Sequence, residues 1–273
     1  MTKAKRTFID GDYGQIHLRF AGPDNPSQTP LVLLHMFPQS GRNFSRLIEV
    51  VSETRIAVAP DFPGHGESCP PPVPIAAEQY ATAIWQVVDQ LDLLRSHGKV
   101  NLFGIHAGAK LAVAATRQRP EHVGALILSS AATLSSDDVT AIRQSMTPAP
   151  LDDDGTRFKD LWRMVASNSA PEMSLPMKAE SLAEIVRWNQ HYGWGSSAVF
   201  DYNERFIEAI ESLPHPVTLL NPGDDLYKMT PRTLGHLKNG TLIDLPDWNH
   251  GYLDYKTNDV AQVIESALLR MAA

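Results

Sequence analysis

The chain contains very little cysteine and no long apolar segment. Cys69 is the single cysteine among 273 residues, which excludes an internal disulfide. No apolar run approaches the length of about 20 residues that a membrane-spanning helix needs. The first residues, MTKAKR, lead into a polar strand without an apolar signal segment. Together these absences predict a cytoplasmic protein with no membrane partner.

An excess of positive charge is also absent. The chain has 24 lysine and arginine residues against 31 aspartate and glutamate residues, and its formal net charge is −7. The basic residues form no stripe, and this balance disfavours tracking along nucleic acid or an anionic membrane. We therefore expect a small, mostly uncharged substrate and no nucleic-acid partner. The oligomeric state stays open, a homo-oligomer included.

Apolar runs alternate with helical patterns along most of the chain. An opening hairpin is predicted at 7–10 and 15–20, followed by strands near 31–35, 55–60, 99–103, 124–129, 216–221 and 240–245. Helices are predicted near 41–53, 75–95, 107–118, 230–237 and 258–271. This alternation predicts an α/β fold with a doubly wound, mostly parallel sheet of about eight strands.

One five-residue segment lies between a predicted strand and a predicted helix and reads Gly104-Ile105-His106-Ala107-Gly108. It has the frame of a nucleophile elbow, Gly-x-Ser-x-Gly, with histidine in place of serine. The flanking glycines give the chain room to reverse sharply, and the central residue is expected at the tip in a left-handed conformation. Histidine tolerates positive φ comparatively well, so the turn is expected to survive the replacement.

Four further motifs accompany the elbow, and each follows a predicted strand: His35-Met36-Phe37-Pro38, Asp61-Phe62-Pro63-Gly64-His65-Gly66, Pro222-Gly223-Asp224-Asp225 and Trp248-Asn249-His250-Gly251. Together the five motifs resemble the α/β-hydrolase family, in its order of nucleophile, acid and histidine. The resemblance covers almost the whole chain and implies the fold of that family.

The resemblance also implies a helical cap. Residues 133–212 carry amphipathic stretches without convincing strands and are rich in methionine and tryptophan. We predict that they form a cap inserted after the sixth strand, while residues 1–132 and 213–273 form the core domain. A cap there would cover the carboxyl ends of the strands, where open α/β sheets bind ligands.

Site residues are carried over from the family motifs one at a time. His250 is expected as the general base and Asp225 as the acid that orients it, with Asp224 as the second choice because the register is uncertain by one residue. The more probable role of Asp224 is to cap a turn or helix. Backbone N–H groups of Phe37 and Ala107 are expected to form the oxyanion hole.

The loop before the oxyanion hole departs from the family pattern. The family usually has His-Gly where this chain has His35-Met36, and methionine cannot adopt every conformation that glycine can. A shifted loop would shift the oxyanion hole with it. The predicted substrate-binding residues are Met36, Trp162, Trp188, Trp194 and Tyr252, although for each aromatic of the cap simple packing is the more common role.

Other polar residues near these motifs are interpreted as structural. His35 and His65 are expected to hydrogen-bond the backbone, and Lys110 is expected to be a solvated or helix-face lysine rather than a catalytic one. Ser40, Ser129 and Ser130 are weak candidates for a replacement nucleophile, because none lies in an elbow.

Four roles for His106 remain open. It is a nucleophile that forms an acyl-imidazole, or it is a general acid or base beside His250, as in lyases and cofactor-free oxygenases of this fold. It could ligate zinc with His250 and an aspartate, which is the weakest option, or it marks a member that binds a ligand without catalysis. We predict hydrolysis of an ester, lactone or C–C bond in a small, largely apolar carbonyl compound. No cofactor and no metal are predicted.

Overall fold

The computed structural model describes residues 3–145, 150–187 and 193–272. Its eight strands form one sheet in the order β1-β2-β4-β3-β5-β6-β7-β8. The first two strands form an antiparallel hairpin and β2 pairs antiparallel with β4, whereas all other pairs are parallel. The strands are β1 (Lys5–Gly11), β2 (Gly14–Ala21), β3 (Leu31–Leu34), β4 (Ala57–Pro60), β5 (Val100–Ile105), β6 (Val123–Ser129), β7 (Val217–Pro222) and β8 (Gly240–Leu245).

Ten α-helices connect or follow these strands in the described residues. They are α1 (Ser45–Val51), α2 (Ala77–Gln90), α3 (Ala107–Gln118), α4 (Ser136–Ser145), α5 (Thr156–Asn168), α6 (Leu175–Val186), α7 (Trp194–Asp201), α8 (Asn203–Ser212), α9 (Tyr252–Tyr255) and α10 (Thr257–Ala272). The helix predicted at 230–237 is a 3₁₀ helix over Thr230–His236, and the one predicted at 41–53 begins as a 3₁₀ helix over Gly41–Phe44.

The central strands are buried because helices cover both faces of the sheet. Strands β3, β4, β5 and β7 are buried along their whole length, as their continuous apolar runs predict. Helices α2, α3 and α8 pack on one face, and α1 and α10 pack on the other. The predicted doubly wound, mostly parallel sheet of eight strands is confirmed.

The described residues between β6 and β7 form the five helices α4 to α8 and no strand of the sheet. Helix α5 packs on α6 through a small apolar cluster of Leu161, Val165 and Ile185 that is separate from the two clusters on the sheet. The chain leaves the sheet at the carboxyl end of β6 to form this segment. Its division from the core at residues 133 and 212 stays a prediction.

The described helices were also compared with the length that a bilayer requires. None of them is long and apolar enough to cross a membrane.

Candidate active site

The elbow has the geometry that its glycines predict. Strand β5 ends at Ile105 and α3 begins at Ala107, and His106 between them has φ 50° and ψ −113°. The positive φ is confirmed, although ψ lies far from the left-handed helical value of about +47°. A Cβ atom on Gly108 would lie 2.1 Å from the carbonyl oxygen of Leu34, and one on Gly104 would lie 2.4 Å from the carbonyl oxygen of Gly108. Both glycines are therefore required by close backbone approach.

His106 forms an ion pair with Asp224. The His106 Nε2 atom lies 2.9 Å from Asp224 Oδ2, and the Asp224 side chain is only 2% exposed. Asp224 also accepts hydrogen bonds from the hydroxyl of Ser130 and, at 2.9 Å, from the backbone N–H of Leu226. The turn contact with Leu226 fits the role expected for Asp224 from sequence. Its contact with His106 joins two residues that are 118 positions apart, and sequence reasoning did not find it.

His250 pairs with the second aspartate. Its Nε2 atom lies 2.9 Å from Asp225 Oδ1, and the same carboxylate oxygen lies 3.9 Å from His106 Nε2. The two imidazole rings stack with centroids 5.5 Å apart and an interplanar angle of 29°. Asp225 thus contacts His250, as expected from sequence, and both histidines lie beside one carboxylate.

The two aspartates give the histidines different electrostatic surroundings. Burial alone would lower the pKa of His106, but the charge and hydrogen bond of Asp224, helped by the charge of Asp225, raise it to about 9. The pKa of Asp225 is lowered, because the hydrogen bond from His250 and the charge of His106 outweigh the loss of hydration. At neutral pH His106 is consequently an imidazolium that faces a carboxylate.

A cavity of about 670 Å³ lies over the elbow. His106, Asp225 and His250 line it together with side chains from α5, α6 and α7, and most of its wall is apolar. The apolar lining includes Met36, Phe37, Leu134, Met164, Val165, Met173, Met177, Ile185, Val199, Phe200, Met229 and Tyr252. Helices α5, α6 and α7 therefore cover the site, as a cap would.

Only some of the substrate-binding residues proposed from sequence line the cavity. Tyr252 lines the cavity, as does Met36, whereas Trp162 and Trp194 do not. On α5 the lining positions are 164, 165 and 168, and at about 100° per residue Trp162 lies more than a quarter turn from the centre of the face that they form. The same phase argument applies to Trp194, since α7 lines the cavity through 196, 199 and 200. Trp188 lies outside the described residues.

Comparison with known proteins identifies the fold. A family model of the alpha/beta hydrolase fold matches residues 29–164, a range that includes the elbow. A solved structure of a candidate lipase from Acinetobacter baumannii superimposes with a TM-score of 0.81, covering 98% of this chain and 92% of that chain at 15% identity. The chain has the α/β-hydrolase fold. An esterase from Exiguobacterium antarcticum is similar, with a TM-score of 0.77 and 18% identity over 97% of this chain and 99% of that one.

One curated relative is similar in sequence. A candidate 2-succinyl-6-hydroxy-2,4-cyclohexadiene-1-carboxylate synthase from Bacillus subtilis is 32% identical over 102 residues, which are 37% of this chain and 35% of the relative. The match therefore spans about a third of the length of that relative.

In this example of the α/β-hydrolase fold, the oxyanion-hole candidates both lie at the cavity. Ala107 is the first residue of α3, so its backbone N–H has no acceptor within the helix. The Phe37 ring stacks on His65 at 4.2 Å between centroids. His35 donates from Nδ1 to the Met36 carbonyl at 2.9 Å and accepts from the Phe62 N–H at 3.0 Å, so methionine in place of glycine leaves this loop tied to the core.

The structure contradicts the expectation for Lys110, which is 6% exposed and lines the cavity one helical turn after His106. Its Nζ atom donates to Asn203 Oδ1 at 2.8 Å, and burial lowers its pKa to about 7. The sequence of α3 itself indicates that Lys110 is buried. Helix α3 reads AGAKLAVAATRQ, and a helix that is apolar on all sides is buried.

The serine candidates do not occupy the elbow tip. Ser130 follows β6 with φ 53°, lines the cavity and donates to Asp224. Ser129 lies 2.9 Å from the hydroxyl of Tyr252, and both hydroxyls belong to buried residues. No imidazole in the described residues hydrogen-bonds to either serine.

One group of residues has the composition of a metal site. Ligand atoms of His106, Asp225 and His250 lie within 4.8 Å of one another, and two histidines with a carboxylate can ligate zinc. The Nε2 atom of His106 is the nitrogen that contacts Asp224. Since the pKa of His106 is raised, a metal ion would have to displace its proton at neutral pH.

Proposed function

We propose that this protein is an enzyme that acts on a small, largely apolar carbonyl compound by acid–base chemistry without an acyl-enzyme intermediate. The observation that carries the proposal is the ion pair between His106 and the buried Asp224 at the elbow. Ester, lactone or C–C bond hydrolysis is the reaction class, with His250 as the base, Asp225 as its partner and His106 as the cationic acid.

The protonation state of His106 argues against nucleophilic attack. A nitrogen nucleophile needs a free lone pair, and an imidazole whose pKa is raised to about 9 is mainly protonated at pH 7. A positive charge at the elbow tip has a different use. It stabilises the negative charge that develops on a carbonyl oxygen in the transition state.

His250 is better placed to accept a proton. Its partner Asp225 is 57% exposed, while Asp224 beneath His106 is 2% exposed. The two histidines thus have aspartate partners of different burial, and two titratable groups in different surroundings are typical of acid–base pairs. The base would remove a proton from a water molecule that attacks the carbonyl carbon, and His106 would return a proton to the leaving group.

The wall of the cavity supports the substrate class. Its lining is predominantly apolar, and the polar residues that line it include His106, Asp225 and His250. A cavity of about 670 Å³ fits a compound of modest size. Among the similar proteins, the neighbour from Exiguobacterium antarcticum is named an esterase, and this supports esters as the first substrates to test.

The test combines turnover with mass spectrometry. Wild-type protein is incubated with p-nitrophenyl esters of two to eight acyl carbons, and the quenched protein is weighed intact. We expect turnover without an acyl adduct, and a loss of about 10²- to 10⁴-fold in kcat in His106→Gln and in His250→Gln. His97 is exposed, so His97→Gln is the matched control and should retain full activity.

The outcomes separate the alternative roles. An adduct on His106 would establish the nucleophilic route in place of the acid–base route. Turnover that is equal in wild type and His106→Gln would show that His106 has no chemical role. Absence of turnover by wild type over the whole ester panel would refute ester hydrolysis and direct attention to non-catalytic ligand binding.

A further inference from the structure

The positively charged side chains that line the cavity differ in whether a carboxylate lies beside them. Arg42 lies 3.1 Å from Glu180, Arg46 lies 3.8 Å from Asp254, and the two histidines pair with the two aspartates. Lys110 is the exception among the described cavity residues, because no carboxylate lies within 4.0 Å of its Nζ atom. It is also the most buried of these cations, at 6% exposure.

The surroundings of Lys110 hold it in place without neutralising it. Asn203 Oδ1 accepts from Lys110 at 2.8 Å and from the Leu134 backbone N–H at 3.3 Å, and Asn203 Nδ2 donates to the Leu134 carbonyl at 2.8 Å. The two contacts with Leu134 fix the amide so that its oxygen faces the lysine. The ring of Phe206 lies 5.2 Å from Nζ. An ammonium group has three donors, and Asn203 accepts one of them.

A buried ammonium without a counter-ion is unfavourable unless a ligand supplies the charge. Burial accordingly lowers the pKa of Lys110 to about 7. Methionine would fill a similar volume without this cost, and the hydrogen bond to Asn203 satisfies only one of the three donors of the ammonium. Lys110 is one of the residues that line the cavity, which puts it within the space that a ligand would occupy.

We propose that Lys110 binds a carboxylate of the substrate, so that the cavity selects carbonyl compounds with an apolar body and one anionic end. This inference rests on the proposed function for the reacting carbonyl, which would lie at His106. It replaces the expectation of a mostly uncharged substrate. Lys110 follows His106 by four residues at the start of α3, so the carboxylate and the reacting carbonyl would belong to two ends of one small compound.

The binding test does not depend on turnover. Hexanoate and hexanamide have the same carbon chain and differ in charge, and their dissociation constants are measured by isothermal titration calorimetry on wild type and variants. We expect hexanoate to bind wild type about 10- to 100-fold more tightly than hexanamide, as for other hydrogen bonds to a charged group. In Lys110→Met this preference should disappear while hexanamide binding is retained.

Two further variants make the result specific. Asn203→Asp supplies Lys110 with an internal carboxylate, so it should also remove the preference for hexanoate although the lysine is still present. Lys99 is exposed and lies outside the cavity, so Lys99→Met should bind both compounds as wild type does. A preference that persists in Lys110→Met, or that wild type lacks, would overturn the proposal.

A turnover assay distinguishes this proposal from the proposed function. Mono-p-nitrophenyl adipate is compared with p-nitrophenyl hexanoate, and wild type should favour the adipate in kcat/KM, whereas Lys110→Met should not. Preferential binding of hexanoate without turnover of any ester would refute the proposed function alone. Ester turnover without any preference for a carboxylate would refute the role of Lys110 alone.

Discussion

The pKa of His106 makes a prediction about stability that does not require a substrate. In His106→Gln the side chain keeps a hydrogen-bond donor for Asp224 but loses the charge that titrates. The pKa of His106 is raised from its ordinary value of 6.5 to about 9 in the folded protein. Stability from this pairing is therefore fully present below pH 6.5 and is lost as pH rises through about 9.

The magnitude follows from the size of the shift. Since a tenfold change in proton affinity corresponds to about 1.4 kcal/mol, a pKa raised from 6.5 to about 9 contributes about 3 kcal/mol to the free energy of unfolding. Lys110 acts in the opposite direction, because its pKa is lowered to about 7 and its burial is tolerated better as pH rises from 7 towards 10.5. The pH dependence of wild type alone thus mixes two opposing contributions, and only a difference between variants isolates His106.

The measurement is urea unfolding followed by tryptophan fluorescence between pH 6.5 and 9.5 at constant ionic strength. The free energy of unfolding of wild type minus that of His106→Gln should fall by about 3 kcal/mol over this range. In an Asp224→Asn background the same difference should change little with pH, because the partner that raises the pKa of His106 is gone. A gap between wild type and His106→Gln that is constant with pH, or that widens, would refute the ion pair and with it the cationic role of His106.

Three other predictions concern the elbow, the base and the metal alternative. A Cβ at Gly108 would lie 2.1 Å from the Leu34 carbonyl oxygen, so Gly108→Ala should lower the free energy of unfolding by about 3 kcal/mol and reduce Tm. Gly235→Ala is the control and should leave Tm unchanged, because nothing lies within 4 Å of a Cβ there. An equal Tm for both variants would contradict the close packing at Gly108. Asp225→Asn should lower kcat about 10²- to 10⁴-fold with little change in KM, which a substrate titration with p-nitrophenyl butyrate would show. Treatment with EDTA followed by dialysis should leave turnover unchanged, and activity that is lost and then restored by zinc would instead assign His106, Asp225 and His250 as ligands.

Much of the fold follows from local sequence patterns. Continuous apolar runs such as Leu31–Leu34 predict buried parallel strands, and glycine spacing around His106 predicts a sharp turn between strand and helix. These features depend on neighbours within a few residues, so one sequence suffices to find them. The pairing of Asp225 with His250 was also expected, because the family order fixes which loops meet.

The remaining features depend on contacts that local patterns do not encode. The contact of His106 with Asp224 exists because β5 and β7 both flank β6, which brings the ends of these strands to one edge of the sheet. Which faces of α5 and α7 line the cavity depends on helix phase and packing, and the failure of Trp162 and Trp194 to reach it is a consequence. Lys110 is buried because α3 packs against α8 as well as against the sheet, an environment that only the assembled fold creates.

The two consecutive aspartates explain how the fold accommodates a histidine at the elbow tip. An imidazolium at that position needs a counter-charge, and Asp224 supplies one from a site that is 2% exposed. Replacing His106 by serine would remove the cation and leave that carboxylate buried without a charged partner, which typically costs about 3 to 5 kcal/mol. His106→Ser alone should therefore be markedly less stable than wild type, whereas the double variant His106→Ser/Asp224→Asn should regain most of the loss. If the double variant is as stable as wild type and hydrolyses p-nitrophenyl esters through a serine acyl adduct, then Asp224 serves the histidine alone. Equal stability of the single and double variants would show instead that Ser130 and the Leu226 N–H suffice to hold Asp224 without His106.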